Sequence, residues 1–336
     1  MFFGMTIIAF IFYFIFKNMS YCKSICPIGT LTRAYDKLAF TKLETYTDSC
    51  ATCKTFDCAT ACSYNLKPFT FVKKNSTDDC TLCMDCAVSC EAVKFKITKP
   101  ADKLHGKFKT LPAEIWTYIL ILAAIPVSMN FAHGLQRSKI SDEMVWNQTA
   151  VYFSSPELGG MFAFLYAILF TSISAILGFW LASKALNKDF KTTFTTLGYG
   201  YAPLFILGSL GHAIESFFTR GYENIVEGFA QGFGFRVDVN DLASRGDEWL
   251  HYFSIFKWVA VIWTLILIYQ RLKLIEATKM RKILGYFFTS FLLIFFIMVN
   301  VYRSYIFDTY GAKERGSHSS HSKNMTKVST HPIQIK

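Results

Sequence analysis

Cys50-Ala-Thr-Cys53-Lys-Thr-Phe-Asp-Cys58-Ala-Thr-Ala-Cys62 and Cys80-Thr-Leu-Cys83-Met-Asp-Cys86-Ala-Val-Ser-Cys90 are the two stretches on which the reading of this chain turns. All ten cysteines of the 336 residues fall between Cys22 and Cys90. Crowding of this kind marks a metal site or a disulfide knot, and spacing separates the two. The first run is Cys-x2-Cys-x4-Cys-x3-Cys and the second is Cys-x2-Cys-x2-Cys-x3-Cys. Paired zinc ribbons would use eight cysteines, but their third and fourth ligands do not normally recur at x2 and x3. A disulfide framework needs an oxidising compartment, whereas the basic loops that accompany this segment place it in the cytoplasm.

The second run has the spacing of a bacterial ferredoxin without the closing proline. Ser63 and Glu91 stand at the two proline positions. In two-cluster ferredoxins the fourth cysteine of each run ligates the other cluster. Three closely spaced thiolates grip three irons of one cube, and the chain then carries the fourth sulfur to the neighbouring cube. The expected ligand sets are therefore Cys50, Cys53, Cys58 and Cys90 for one [4Fe-4S] cluster, and Cys80, Cys83, Cys86 and Cys62 for the other. Four residues between Cys53 and Cys58, where two are usual, point to a first site that differs in potential or stability or is incompletely ligated.

Outward from the cysteines the chain is apolar. Apolar residues make up 52% of it, Phe occupies 34 positions, and only 18% of positions are charged, against about 25% in soluble chains. A helix crossing a bilayer needs roughly 20 apolar residues. Six stretches between charges read as spans: Met1–Phe16, Ile115–Gln136, Leu158–Ser183, Thr192–Ile214, Trp249–Gln270 and Ile283–Tyr302. The first lacks the basic leader and small-residue cleavage site of a signal peptide. This composition excludes an ordinary cytosolic enzyme, a disordered protein and a soluble nucleic-acid binder. The formal charge of +11 fits a membrane protein with basic cytoplasmic loops.

The loops orient the spans. Lys184, Lys188 and Lys191 lie in one short loop, and Arg271, Lys273, Lys279, Arg281 and Lys282 in another. Both should be cytoplasmic. The stretch Glu215–Glu248 is acidic and reads as an outer loop, while Lys17–Glu114 falls inside and the basic tail after Arg303 outside. The expected fold class is an α-helical integral membrane protein of about six transmembrane helices with an inserted small α+β two-cluster ferredoxin-like domain. Its parts are a first helix (1–20), a Cys-x3-Cys-Pro segment with the cytoplasmic cluster domain (21–112), a five-helix membrane domain (113–308), and a polar tail expected to be disordered (309–336).

Directly after the first span comes Tyr21-Cys22-Lys-Ser-Ile-Cys26-Pro27-Ile-Gly29. Cys22 and Cys26 share one helical face and suit metal binding, redox exchange or plain packing. A membrane helix, this motif and then a two-cluster cassette resemble the polyferredoxin-type membrane 4Fe-4S proteins of the NapH, NosR and CcoG kind, over roughly residues 5 to 100. The resemblance implies a protein of the bacterial inner membrane linking the quinone pool or cytoplasmic donors to a periplasmic respiratory reductase system, of nitrate or nitrous oxide type. Its partners would be the quinone pool and a periplasmic redox enzyme or its membrane subunits, with no nucleic acid. Two other roles are open: an assembly factor supplying electrons for metal-centre biogenesis, and a quinol dehydrogenase.

After Cys90 any cofactor must use other ligands. His133, His212 and His251 all fall toward the outer ends of their spans, with Lys257 two turns inward of His251 and Glu215 one turn beyond His212. Ionisable groups in membrane spans are rare and commonly functional. Two imidazoles on facing helices would suit haem b; the same groups would suit quinol protons or copper, or simple interfacial placement. Gly198-Tyr-Gly200-Tyr-Ala-Pro203 signals a kink or close helix packing. Gly221–Asp247 reads as a plain loop or a short amphipathic segment. The sequence reads as free of phosphate loops, nucleotide fingerprints, catalytic triads and internal repeats.

Overall fold

The computed structural model describes residues 10–11, 14–15, 34–45, 50, 53–70, 80, 82–106, 108, 110–235, 237–244 and 247–313. The Cys22–Cys26 pair, most of the first expected span and nearly all of the tail lie outside the described residues.

The cysteine segment is closed at its base by two strands, β1 (Thr41–Thr45) and β2 (Val93–Ile97), antiparallel with Thr41 opposite Ile97 and Thr45 opposite Val93. Between them sit two short helices, α1 (Asp57–Thr60) and α2 (Asp85–Ser89). Each follows a left-handed residue, Phe56 at φ 53° and Met84 at φ 70°. Each also opens the same pattern, Asp57-Cys-Ala-x-x-Cys62 and Asp85-Cys-Ala-x-x-Cys90. The two short helices are therefore built alike locally. The shared unit is only six residues long, too short to register as a period.

Seven longer or shorter helices and their breaks then carry the chain back and forth: α3 (Pro112–Leu122), α4 (Val145–Tyr152), α5 (Gly159–Leu186), α6 (Phe190–Leu197), α7 (Ala202–Leu207), α8 (Leu210–Ser216) and α9 (Tyr222–Gly232). Three more close the fold: α10 (Ile255–Leu272), α11 (Lys279–Thr289) and α12 (Phe291–Tyr310). Proline at the first position of α3 costs nothing, because that N–H would be unpaired in any case. Pro126 interrupts the same helix, which continues as wider π turns at Ala123–Val127 and Met129–Gly134. Four stretches are long and apolar enough to cross a membrane: Pro112–Arg137, Pro156–Leu186, Glu248–Leu272 and Lys279–Tyr310. The protein is a multi-pass membrane protein.

The expected span Thr192–Ile214 is not a continuous helix. It is broken into α6, a 3-10 turn at Gly198–Tyr201, α7 and α8. The glycines explain both the break and its packing. A Cβ on Gly198 would lie 2.5 Å from the Ile115 side chain, and one on Gly200 would lie 2.6 Å from Ile268. Bare backbone at these points lets the turn press against α3 and α10 at once. Among the described residues there are thus four continuous spans and one broken one, rather than five continuous ones.

Residues at the two ends of the bundle hold together separately. At one end Ser138 bridges to Ala312, and Lys313 Nζ lies 3.0 Å from an Asp142 carboxylate oxygen. At the other end the cysteine segment docks. Arg271 Nη1 donates to the Leu104 carbonyl at 2.7 Å and its Nε donates to the Thr196 carbonyl. Lys37 Nζ stands 3.9 Å from Glu114 Oε2, with side chains 0% and 1% exposed. The Tyr199 hydroxyl donates to the same carboxylate and accepts from the Leu111 N–H at 2.9 Å. Tyr118 donates to the Ala34 carbonyl at 3.1 Å. The Arg271 guanidinium covers the Phe108 ring at 4.9 Å and the Tyr199 ring at 5.4 Å. Buried charges survive only when paired and hydrogen-bonded, so this cluster fixes the thiol-bearing segment on the membrane helices. The loops with Lys184 to Lys191 and Arg271 to Lys282 lie at this end too, because α5–α6 and α10–α11 turn there.

Candidate functional site

Helices α1 and α2 bring Cys58 and Cys86 inside, at 2% and 5% exposure, packed with Leu43 and Val93 and flanked by Leu66, Phe69, Cys80 and Cys90. Cys83 is exposed, and Cys50, Cys53 and Cys62 are half-buried. The thiols fall into two groups by mutual electrostatic influence. Cys50 and Cys58 both feel Cys90 and Cys53. Cys80 and Cys86 both feel Cys62 and Cys83. Each group therefore takes three cysteines from one run and the last cysteine of the other, with Cys90 beside the first run and Cys62 beside the second.

Burial, and secondarily the neighbouring thiols, pushes Cys50, Cys58, Cys80 and Cys86 upward, the last to about 11. These thiols are protonated at neutral pH until a metal displaces the proton, which is the usual coupling of ligation to ionisation. Backbone N–H groups are already aimed at sulfur: Leu66 donates to Cys62 Sγ at 3.4 Å. Among the described residues no three His, Cys, Asp or Glu side chains converge on one ion position. A cubane asks for less convergence, because each thiolate binds its own iron. Two groups of four thiols with backbone donors fit a pair of [4Fe-4S] clusters as a donor set.

At the opposite end of the bundle lies a polar cavity of about 650 Å³, lined by His212, His251, Lys257, Glu215, Asn300 and Arg303 among others. It opens where α8, the start of the Glu248–Leu272 helix and the end of α12 meet. The fold thus brings together three of the four membrane residues singled out in the sequence. His133 lies on the π turn Met129–Gly134, and its side chain is outside the described residues. His212 Nδ1 is 3.9 Å from Glu215 Oε2, and its Nε2 is 3.3 Å from Ser216 Oγ. Lys257 Nζ donates to Asn300 Oδ1 at 3.5 Å. The sequence reading missed Arg303 and the two asparagines that face this cavity. Asn130 and Asn300 were visible as polar residues inside apolar runs, whereas Arg303 lay just beyond the expected span Ile283–Tyr302.

A Yip1 domain family matches residues 98–301, from just after β2 through the first half of α12. A 4Fe-4S binding domain matches residues 1–43, which include Cys22 and Cys26 and end before Cys50. No curated protein and no solved structure matches the chain. With the apolar helices, the two family matches mark a membrane iron–sulfur protein.

Proposed function

The chain belongs to the Yip1 domain family and carries a 4Fe-4S binding match at residues 1–43 ahead of its two cysteine runs; from that premise we propose that it passes electrons between the quinone pool or cytoplasmic donors and a periplasmic respiratory reductase system. One observation supports this reading above the others: Cys90 lies within electrostatic reach of Cys50 and Cys58 in the first run, and Cys62 within that of Cys80 and Cys86 in the second. Two [4Fe-4S] clusters held by Cys50, Cys53, Cys58 and Cys90 and by Cys80, Cys83, Cys86 and Cys62 would supply one-electron chemistry there. The chain's own part is to hold and orient. The β1–β2 pair closes the segment, the Leu66 N–H steadies sulfur charge at Cys62, and the Lys37–Glu114–Arg271 cluster fixes the segment against the membrane helices. Because the 4Fe-4S match spans Cys22 and Cys26, this pair is assigned a metal or redox role rather than packing.

The thiol-bearing end is read as cytoplasmic, at a bacterial inner membrane, since both short basic loops turn at that end. Anaerobically purified protein should hold about eight iron and eight sulfide from these two sites. Stoichiometric zinc without sulfide would overturn the reading. A partner reductase that is made without its metal when this gene is deleted would turn it toward assembly.

A second reading, quinol oxidation, is favoured by His212, His251 and Lys257 lining one cavity. Histidine exchanges protons near neutral pH, so quinol protons could leave there. Loss of quinol-linked cluster reduction, or of a haem absorption band, in His212→Ala and His251→Ala supports it. Full activity in both, with no haem, makes the histidines structural.

A further inference from the structure

We propose that one wall of this cavity, formed by Arg303, Lys257 and Arg137, binds a phosphate-type dianion. Arg137 and Glu215 lie within electrostatic range of Arg303, and Arg303 within that of Lys257. A fourth cation, Arg220, and one more carboxylate, Asp308, complete the charged lining. Among the described residues none of Arg303, Lys257 and Arg137 forms an ion pair within 4.0 Å, and Glu215, which acts on Arg303 from farther away, also lies 3.9 Å from His212 Nδ1. Three like charges lining one cavity repel one another, and an anion bound among them relieves that repulsion. Glu215 offsets one, which leaves a charge that a dianion balances and a monocarboxylate does not.

The wall is also organised in advance. Asn130 Nδ2 donates to the Pro126 carbonyl at 2.8 Å, and Asn300 Nδ2 to the Phe296 carbonyl at 2.9 Å. Each amide is thereby held with its oxygen toward a cation: Arg303 Nη1 donates to Asn130 Oδ1 at 3.3 Å, and Lys257 Nζ to Asn300 Oδ1 at 3.5 Å. Gly134 makes the arginine's position possible, because a Cβ there would lie 2.8 Å from Arg303 Nε. Each tether uses one N–H, and a guanidinium carries five donors and an ammonium three. The remaining donors can face a ligand. Guanidinium forks match phosphate oxygens in a bidentate fashion, and lysine adds a point charge. The ligand chemistry is a phosphate group with two ionisable oxygens, arriving as the monoester headgroup of a phosphatidate-type lipid or as free phosphate. The wall uses neither histidine, so failure of this proposal leaves the electron-transfer reading untouched.

The test uses the full chain with its clusters, in nanodiscs of phosphatidylcholine, followed by thermal unfolding. One arm adds inorganic phosphate at matched ionic strength, and the other replaces part of the lipid with phosphatidate. A raised unfolding midpoint in either arm is expected, and the arm that responds identifies the source. Arg303→Gln and Lys257→Gln should each weaken the apparent affinity by at least about tenfold. Arg281→Gln, a cation at the opposite end, should not change it. If Arg303→Gln fails to fold, Lys257→Gln carries the test alone. No shift in either arm, or a shift kept by the folded variants, overturns the proposal.

Discussion

Replacing Lys37 with Met removes a cation 3.9 Å from the Glu114 carboxylate, which is 1% exposed. Two unit charges 3.9 Å apart are worth about 4 kcal/mol at an effective dielectric of 20. Removing one partner of a buried pair costs about 3–5 kcal/mol, chiefly because the other charge is left uncompensated. The Tyr199 hydroxyl still donates to the carboxylate and Arg271 stays within the same cluster, so the lower end, about 3 kcal/mol, is expected. Adding Glu114→Gln removes the carboxylate charge while leaving an amide oxygen for Tyr199. The double variant should return to within about 1 kcal/mol of the parent. Denaturant unfolding in detergent, with limited proteolysis of residues 34–106 as the readout of docking, measures the parent, both single variants and the double variant. A cost for Lys37→Met below about 1 kcal/mol, as an exposed pair would show, would refute the argument. Strictly additive single variants would refute it equally.

Cross-ligation makes a pattern of losses: Cys90→Ser and Cys53→Ser should abolish the same cluster signal in electron paramagnetic resonance, and Cys62→Ser should match Cys83→Ser. Cys90→Ser matching Cys83→Ser instead would mean that each run serves one cluster. Gly200→Val places side-chain atoms against Ile268, to which even a Cβ would come within 2.6 Å, and should cost about 1–3 kcal/mol by overpacking, read as a lower unfolding midpoint. A protease recognition site inserted after Gly234 should be cut in intact cells, while one inserted after Lys99 should be cut only after lysis. The reverse pattern would invert the orientation.

The long apolar runs were legible because a bilayer demands them. Leu158–Ser183, Trp249–Gln270 and Ile283–Tyr302 each fall inside a helix that extends further at both ends, such as Pro156–Leu186. Most extensions begin with a charged residue, such as Lys184, Arg271 or Arg303, at which a reading between charges must stop. The Thr192–Ile214 run was apolar enough but broken, since Gly198, Gly200 and Pro203 act on backbone geometry that composition does not record. The proximity of Cys90 to Cys50 and Cys58 is what the two-cluster ferredoxin pattern leads one to expect, since there the fourth cysteine of each run serves the other cluster. The docking cluster was not legible. Lys37, Glu114 and Arg271 read one at a time as ordinary loop and interface charges, and only the fold brings residues so far apart in sequence to one buried point. Arg303, assigned to the tail side of the last span, was likewise given no partner in the sequence, yet the helix continues to Tyr310 and carries it into the cavity.

The two ends of the bundle have an electrical consequence. The shortest of the four continuous helices has 25 residues and is therefore about 38 Å long at 1.5 Å per residue. Thiols lie at one end of such helices and the cavity at the other, so an electron or proton moving between them crosses most of the membrane field. That work is about 2.3 kcal/mol per elementary charge for each 100 mV. Electron transfer confined to the thiol-bearing end moves no charge across the field and is indifferent to it. In sealed vesicles a potassium diffusion potential should change the rate of a process that joins the two ends, and leave the other rate unaltered.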